Sequence, residues 1–335
     1  MTEPTRHAVT QDDSLPPVEP PSAAFLVQLF LVPAIIVGII VFVWIAFHWL
    51  AQLGNDPEGY VKTLRRASEG RWQAALNLAN DLRGPGGSSL KADAGLAGDL
   101  AGILADEVAS GRPRAAGHGG DQSRTLCGYL CRALGEFAVP EAAPPLVARV
   151  TDTSDPETAR AAVEALAVLA SNLAAGGGFA DPQAVSAAVL EASRSDDARL
   201  RSAAAFTLGV IGGDAAAERL EVLQADGADD VRFNAATALA RQGRAGGYDT
   251  LEEMLALPDV SPAPGDESAQ ADRYRRALVV VNALKAVGLL VDAGQRPPPG
   301  VVTAVAALEK DAVGDVRAAA DALIRKLDRT SAAAP

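Results

Sequence analysis

The stretches RSAAAFTLG (201–209) and RFNAATALA (232–240) carry one pattern, 31 residues apart, and that pattern decides the fold. With the arginine as position zero, Ala204, Ala205 and Leu208 follow Arg201 at three, four and seven; Ala235, Ala236 and Leu239 follow Arg232 at the same offsets. A third copy, RWQAALNL (71–78), runs from Arg71 through Ala74 and Ala75 to Leu78. Weaker copies start at Ala159 (Ala162, Val163, Leu166), Ala277 (Val280, Val281, Leu284) and Arg317 (Ala320, Ile324). These offsets put the side chains on one stripe of an α-helix, and alanine in the middle of the stripe lets a second helix come close.

Each copy is followed by a breaker and a second helical pattern. GVIGGD (209–214) supplies helix-ending glycines and an acidic start, and the next helix carries Ala216, Leu220 and Leu223 on one face. Leu251, Met254 and Leu255 repeat this one unit later, and Val301, Val305 and Leu308 near the end. A pair of short helices cannot bury its apolar faces alone, so such pairs must stack on their neighbours. The expectation is an all-α chain whose residues 57–328 form a solenoid of about six helix pairs.

The units DDVRFNAATALARQG (229–243) and GDVRAAADALIRKL (314–327) resemble HEAT repeats, whose first helix opens with Asp-x-Arg ahead of an Ala-Ala core and a leucine. The resemblance covers roughly 57–328 and is strongest over 195–245 and 311–327. It implies that Asp230, Arg232, Asp315 and Arg317 pair across repeats as structural charges. Residues 84–158 depart furthest from the pattern, with GPGGSS (84–89) and GRPRAAGHGGD (111–121) interrupting the spacing. Further interruptions fall at 175–178, 257–270 and 294–300, and inserts of this kind project as loops that can carry binding residues.

Ahead of the repeats, no charged side chain occurs between Glu19 and Asp56. Residues 24–50 (AFLVQLFLVPAIIVGIIVFVWIAFHWL) would span roughly 40 Å as a helix, against a hydrocarbon core of about 30 Å. A transmembrane helix over 23–52, crossing the bilayer through 24–50, is therefore expected, with Trp44, His48 and Trp49 at headgroup level. The acidic leading segment and the length of the apolar run argue against a cleaved signal peptide. Residues 1–22 hold one basic side chain, Arg6, whereas Lys62, Arg65, Arg66 and Arg71 follow the span, which favours an outward N-terminus and a cytoplasmic solenoid at the cell membrane. The Pro-rich, polar segment 1–22 reads as a disordered tail, and 329–335 as a second.

Aromatics make up 4% of the chain, so the core must be built from small and aliphatic side chains at close helix contacts. The basic residues are mostly arginine, as in proteins of GC-rich bacterial genomes. Net charge is −12, and residues 195–262 hold twelve Asp or Glu against six Arg, a balance that repels nucleic-acid backbones. Cys127 and Cys131, at i and i+4 in a helical stretch, read as small buried thiols, and two cysteines in a long chain fit a reducing compartment. His7, His48 and His118 fall in unrelated segments, so no metal site is expected. Phosphate-loop, GxSxG and HExxH signatures are missing, Glu252 and Glu253 read as solvated, and neither a cofactor nor enzymatic activity is expected.

In HEAT-like solenoids the second helices line a groove. The resemblance therefore implies an acidic groove formed by Glu218, Glu221, Asp249, Glu252 and Glu253, fitted to a basic or amphipathic segment of a protein partner. The reading is a non-catalytic membrane-anchored scaffold or adaptor. Its rivals are a lyase-accessory role, known among HEAT-like proteins that handle bilin pigments, and a self-assembling structural membrane protein. The lone Gly38 provides no GxxxG motif for anchor pairing.

Overall fold

The computed structural model describes residues 23–52, 57–66, 68, 70–152, 154–259 and 265–332. The expected tail over 1–22 lies outside them. The chain divides into two units, Met1–Gly54 and Asn55–Pro335.

In the first unit, helix α1 spans Ala23–Gln52 and contains Pro33. Its stretch Leu29–Phe47 has a mean hydropathy of 3.0 and buries none of its side chains. This helix is long and apolar enough to cross a membrane. The side chains of His48 and Trp49 lie outside the described ones.

In the second unit every regular element among the described residues is a helix. In chain order the helices are α2 (Pro57–Arg65), α3 (Arg71–Arg83), the single turn α4 (Ser88–Lys91), α5 (Ala94–Ala109), α6 (His118–Gly135), α7 (Ala143–Val150) and α8 (Pro156–Leu173). They continue with α9 (Pro182–Ala192), α10 (Ala198–Ile211), α11 (Asp214–Leu223), α12 (Asp229–Arg241), α13 (Tyr248–Leu255), α14 (Glu267–Asp292), α15 (Pro299–Ala307) and α16 (Gly314–Ala332). Aspartates start many of them: the side chains of Asp93, Asp155, Asp181, Asp197 and Asp266 each accept a first-turn backbone N–H. Proline follows the cap in α8 and α9, where no N–H is needed.

The helices stack in two layers. α3, α6, α8, α10, α12, α14 and α16 pack each on the next and form the first layer; α2, α5, α7, α9, α11, α13 and α15 form the second. Among the described residues α6/α7, α8/α9, α10/α11 and α12/α13 are successive first-with-second pairs in contact; α5 packs on α2 and α6, and α15 on α13 and α16. Most repeat positions read from the sequence lie in the core, while Ala74, Val281 and Ile324 are half-buried at its edge. Ala204, Ala205, Leu208, Ala235, Ala236 and Leu239 are all buried, as are Ala162, Val163, Leu166, Val280 and Leu284. The buried clusters run from Leu64 to Leu323, so the second unit has a core of its own.

Small residues are needed where first-layer helices touch. A Cβ on Gly135 would lie 2.8 Å from Ala165 Cα, and one on Gly209 2.5 Å from Ala238 Cβ. Side chains larger than hydrogen would force α6 from α8 and α10 from α12. Glycine is also required between α10 and α11, where Gly212 and Gly213 take φ of 74° and 94°.

Several boundaries differ from the sequence expectation. The region 84–158 contains complete helix pairs: Cys127 and Cys131 stand at three and seven from Arg124, where other units have alanine and leucine. His118 lies in the first turn of α6, not in a glycine loop, because the insert ends in a short 3-10 turn at Arg112–Arg114. α14 begins inside the segment 257–270, capped by Asp266; residues 260–264 lie outside the described ones. α16 continues to Ala332, so helix occupies most of the segment 329–335 that reads as a tail.

Candidate interaction surface

The charged side chains divide between the layers. First-layer helices carry seventeen Lys or Arg against twelve Asp or Glu, and second-layer helices four against eleven, so the acidity of the unit's helices is concentrated in the second layer. The cause is local. Several first-layer helices carry an arginine at the start of the apolar stripe that closes off the preceding turn, whereas second-layer helices have one side packed and the other open to carboxylates.

That arginine does the same work in successive units. Arg201 Nη1 donates to Ser195 O at 2.9 Å, Arg232 Nη1 to Asp226 O at 3.0 Å and Arg317 Nη1 to Asp311 O at 2.6 Å, each six residues back. Arg276 does so across the insert, its Nε donating to Leu257 O at 3.0 Å. The same arginines also pair forward along the chain. Arg201 holds Asp226 with two bonds of 2.8 and 2.9 Å, Arg276 lies 2.7 Å from Asp311, and Arg232 lies 2.6 Å from Glu253. The Arg201 bonds are the largest influence on Asp226 and hold its carboxyl below the usual range.

These contacts revise the roles expected of the charges. Arg232 and Arg317 bridge a helix to the preceding turn as structural residues, but the acids of the ladder are Asp226 and Asp311, four residues before the expected Asp230 and Asp315. Asp230 contributes its backbone carbonyl, which accepts from Ser202 Oγ at 3.3 Å. Asp315 lines a groove beside α14. The true acids sit at position minus six of their units, a spacing readable as Asp226 with Arg232 and Asp311 with Arg317.

The five acidic residues of the second layer also separate. Glu253 is held by Arg232, and the Glu252 carboxylate rests against Gly300 at the start of α15, so neither is the freely solvated group that the sequence suggested. Glu218, Glu221 and Asp249 are exposed and form no ion pair among the described residues. Val222, 60% exposed, stands next to Glu221 and one turn from Glu218. On α11, Glu218, Glu221 and Val222 thus form an exposed apolar spot flanked by carboxylates, and Asp249 is a further exposed acid on α13.

Two polar features elsewhere are internal to the stack. Glu107, 2% exposed, accepts from Ser123 Oγ at 2.5 Å, Arg71 Nη1 at 2.7 Å and Arg112 Nη2 at 2.5 Å. Burial acts to raise this carboxyl, and the bonds from Ser123, Arg71 and Arg112 overcome it, so Glu107 stays below the usual carboxylate range. A cavity of about 230 Å³ opens beside it, between Trp72 and Gln122. Burial pushes the Cys127 thiol up to about 12 and raises Cys131 further, which keeps both protonated and poor as nucleophiles or metal ligands.

No family model matches the chain, and no curated protein matches it. Among solved structures, an engineered protein is 20% identical over 83% of this chain and 72% of its own, with a TM-score of 0.36. Human deoxyhypusine hydroxylase in complex with glycerol is 18% identical over 82% of this chain and 97% of its own, with a TM-score of 0.30. A designed armadillo repeat protein is 16% identical over 81% and 99%, with a TM-score of 0.34. At such scores the stacking order of the helices, not the likeness, defines this fold: a two-layer helical-repeat stack.

Proposed function

We propose that the chain is a membrane-anchored HEAT-type scaffold that works by binding and not by catalysis. α1 crosses the cell membrane once, the repeat unit lies on the cytoplasmic side, and the second-helix layer holds a basic or amphipathic segment of a protein partner. The observation that carries this reading is the exposed Glu218 and Glu221 beside the exposed Val222 on α11, with Asp249 exposed on the same layer. Carboxylates without an ion-pair partner among the described residues are open to an incoming cation, and an exposed valine beside them offers an apolar contact that water does not satisfy. Orientation rests on Lys62, Arg65 and Arg66 just after the span.

The test uses full-length protein solubilised from membranes and captured with its partners. Replacing Glu218 and Glu221 with Gln and Asp249 with Asn removes the proposed partner while leaving the fold intact, whereas Glu253→Gln alone, which loosens an internal pair, leaves the partner bound. An unchanged set of captured proteins in the triple variant refutes the surface. Protease access to the C-terminal end in intact cells tests the topology, with protection expected.

A further inference from the structure

Between the starts of α3 and α6 and the end of α5, the cavity of about 230 Å³ is lined by charges that do not cancel. Both oxygens of the buried Glu107 are filled. Oε1 accepts from Ser123 Oγ at 2.5 Å and Arg112 Nε at 3.1 Å, and Oε2 from Arg71 Nη1 at 2.7 Å and Arg112 Nη2 at 2.5 Å. One arginine would neutralise this carboxylate, but two line the cavity with it, and they leave a net charge of +1 among the lining residues. Arg71 also donates from Nε to Leu64 O at 2.6 Å. Among the described residues, Arg71 Nη2 and Arg112 Nη1 therefore have no protein acceptor. Arg71 is only 14% exposed, so little water compensates its charge. Gly119 brings the first turn of α6 to the same wall, and Gly117 before it provides no side-chain cap, so the N–H groups of that turn add to the positive potential. The apolar part of the lining is Leu126 and Trp72, whose ring is stacked on Tyr129 with centroids 6.1 Å apart.

We propose that this cavity binds a small organic monoanion, a carboxylate carried on a flat apolar body. The carboxylate meets Arg71 and Arg112, and the body lies against Trp72 and Leu126. Glu107 has no acceptor position to spare, so a cation finds no ligand in it. A volume equal to about eight waters, at about 30 Å³ each, admits a benzoate-sized molecule and excludes a nucleotide. A single negative charge cancels the surplus, whereas a phosphate dianion would leave negative charge uncompensated beside Glu107. Arginine N–H groups suit a planar carboxylate. The site needs neither the membrane nor the α11 surface, so its test is independent of theirs.

The repeat unit has its own core, and Trp72 is the one tryptophan of residues 55–335, so its emission reports on this cavity. Titration of that segment with benzoate is the measurement. A saturable change in Trp72 emission is expected at about millimolar concentration or below, with benzamide, which lacks the charge, and acetate, which lacks the ring, each at least about tenfold weaker. Arg112→Gln should weaken benzoate about tenfold or more. That side chain is 51% exposed, and Glu107 keeps Ser123 and Arg71, so the fold survives, as an unchanged urea midpoint will show. Arg114→Gln, in the same turn but bonded to Ser154 and Asp152, should bind benzoate as the parent does. No saturable change with benzoate overturns the proposal. So does benzamide, acetate or inorganic phosphate binding as tightly as benzoate, or an equal response of the Arg112 and Arg114 variants.

Discussion

Helices α10 and α11 are neighbours in sequence and opposites in exposure. α10 is flanked by α8 and α12 and backed by α9 and α11, and it buries half of its fourteen residues, among them Ala203, Ala204, Ala205, Leu208 and Gly209. α11 buries Ala216, Ala217, Leu220 and Leu223 and leaves Glu218, Glu221 and Val222 in water. The contrast holds along the stack. Inward stability falls on first-layer helices, whose residues are constrained by three or four neighbours, while second-layer helices keep one side that packing does not specify. A binding surface can change there at little cost to the fold.

The sharpest way to break this comparison is truncation in the two cores. Leu208→Ala opens a cavity between first-layer helices and should cost about 2–5 kcal/mol in urea unfolding of residues 55–335. Leu220→Ala in α11, with fewer neighbours to lose, should cost less. If the order is reversed, the first layer is not the one that holds the stack.

Glycine substitutions give the next largest difference. Gly209→Ala places a methyl against Ala238 and should cost about 1–3 kcal/mol by overpacking. Gly246→Ala, whose methyl would meet only the Glu221 side chain at 3.7 Å and Leu239 at 3.9 Å, should change stability by less than about 0.5 kcal/mol. Equal losses would mean that the close approach of α10 and α12 is not a constraint.

The ion-pair ladder belongs to the first layer and has a pH signature. Asp226 is lowered in the folded chain, so its contribution is complete above the unfolded value of about 3.9 and is lost as pH falls through the folded one. Asp226→Asn should cost roughly 1–3 kcal/mol at neutral pH and flatten the loss of stability below about pH 4. A variant with an unchanged acid limb would assign that limb to other carboxylates. The smallest effect is expected on the second layer, where the triple replacement of Glu218, Glu221 and Asp249 should leave stability within about 0.5 kcal/mol while abolishing partner capture.

How much of this was legible in the sequence follows the same division. The Arg-Ala-Ala-Leu stripe announces α10 and α12 because alanine and leucine at three, four and seven have one structural meaning. α6 escapes that pattern because its equivalent positions hold Cys127, Gly128 and Cys131, small residues that satisfy the same close packing with different letters. The ladder acids were misplaced by four residues: Asp230 follows the helix-start pattern, but an arginine reaching back over a turn meets the group six residues earlier. Glu253 and Glu252 could not be sorted from Glu218 and Glu221 by spacing. Their neighbours are distant in sequence, Arg232 on α12 and Gly300 on α15, and only the packing of the helices brings them close.

The claim that the layers have separate roles is tested most directly by a photoreactive phenylalanine analogue placed at Val222 or at Leu278 of the full-length chain in native membranes. The account predicts a discrete protein adduct from position 222, lost in the Glu218→Gln/Glu221→Gln background, and none from position 278. A discrete protein adduct from 278 together with none from 222 would contradict it.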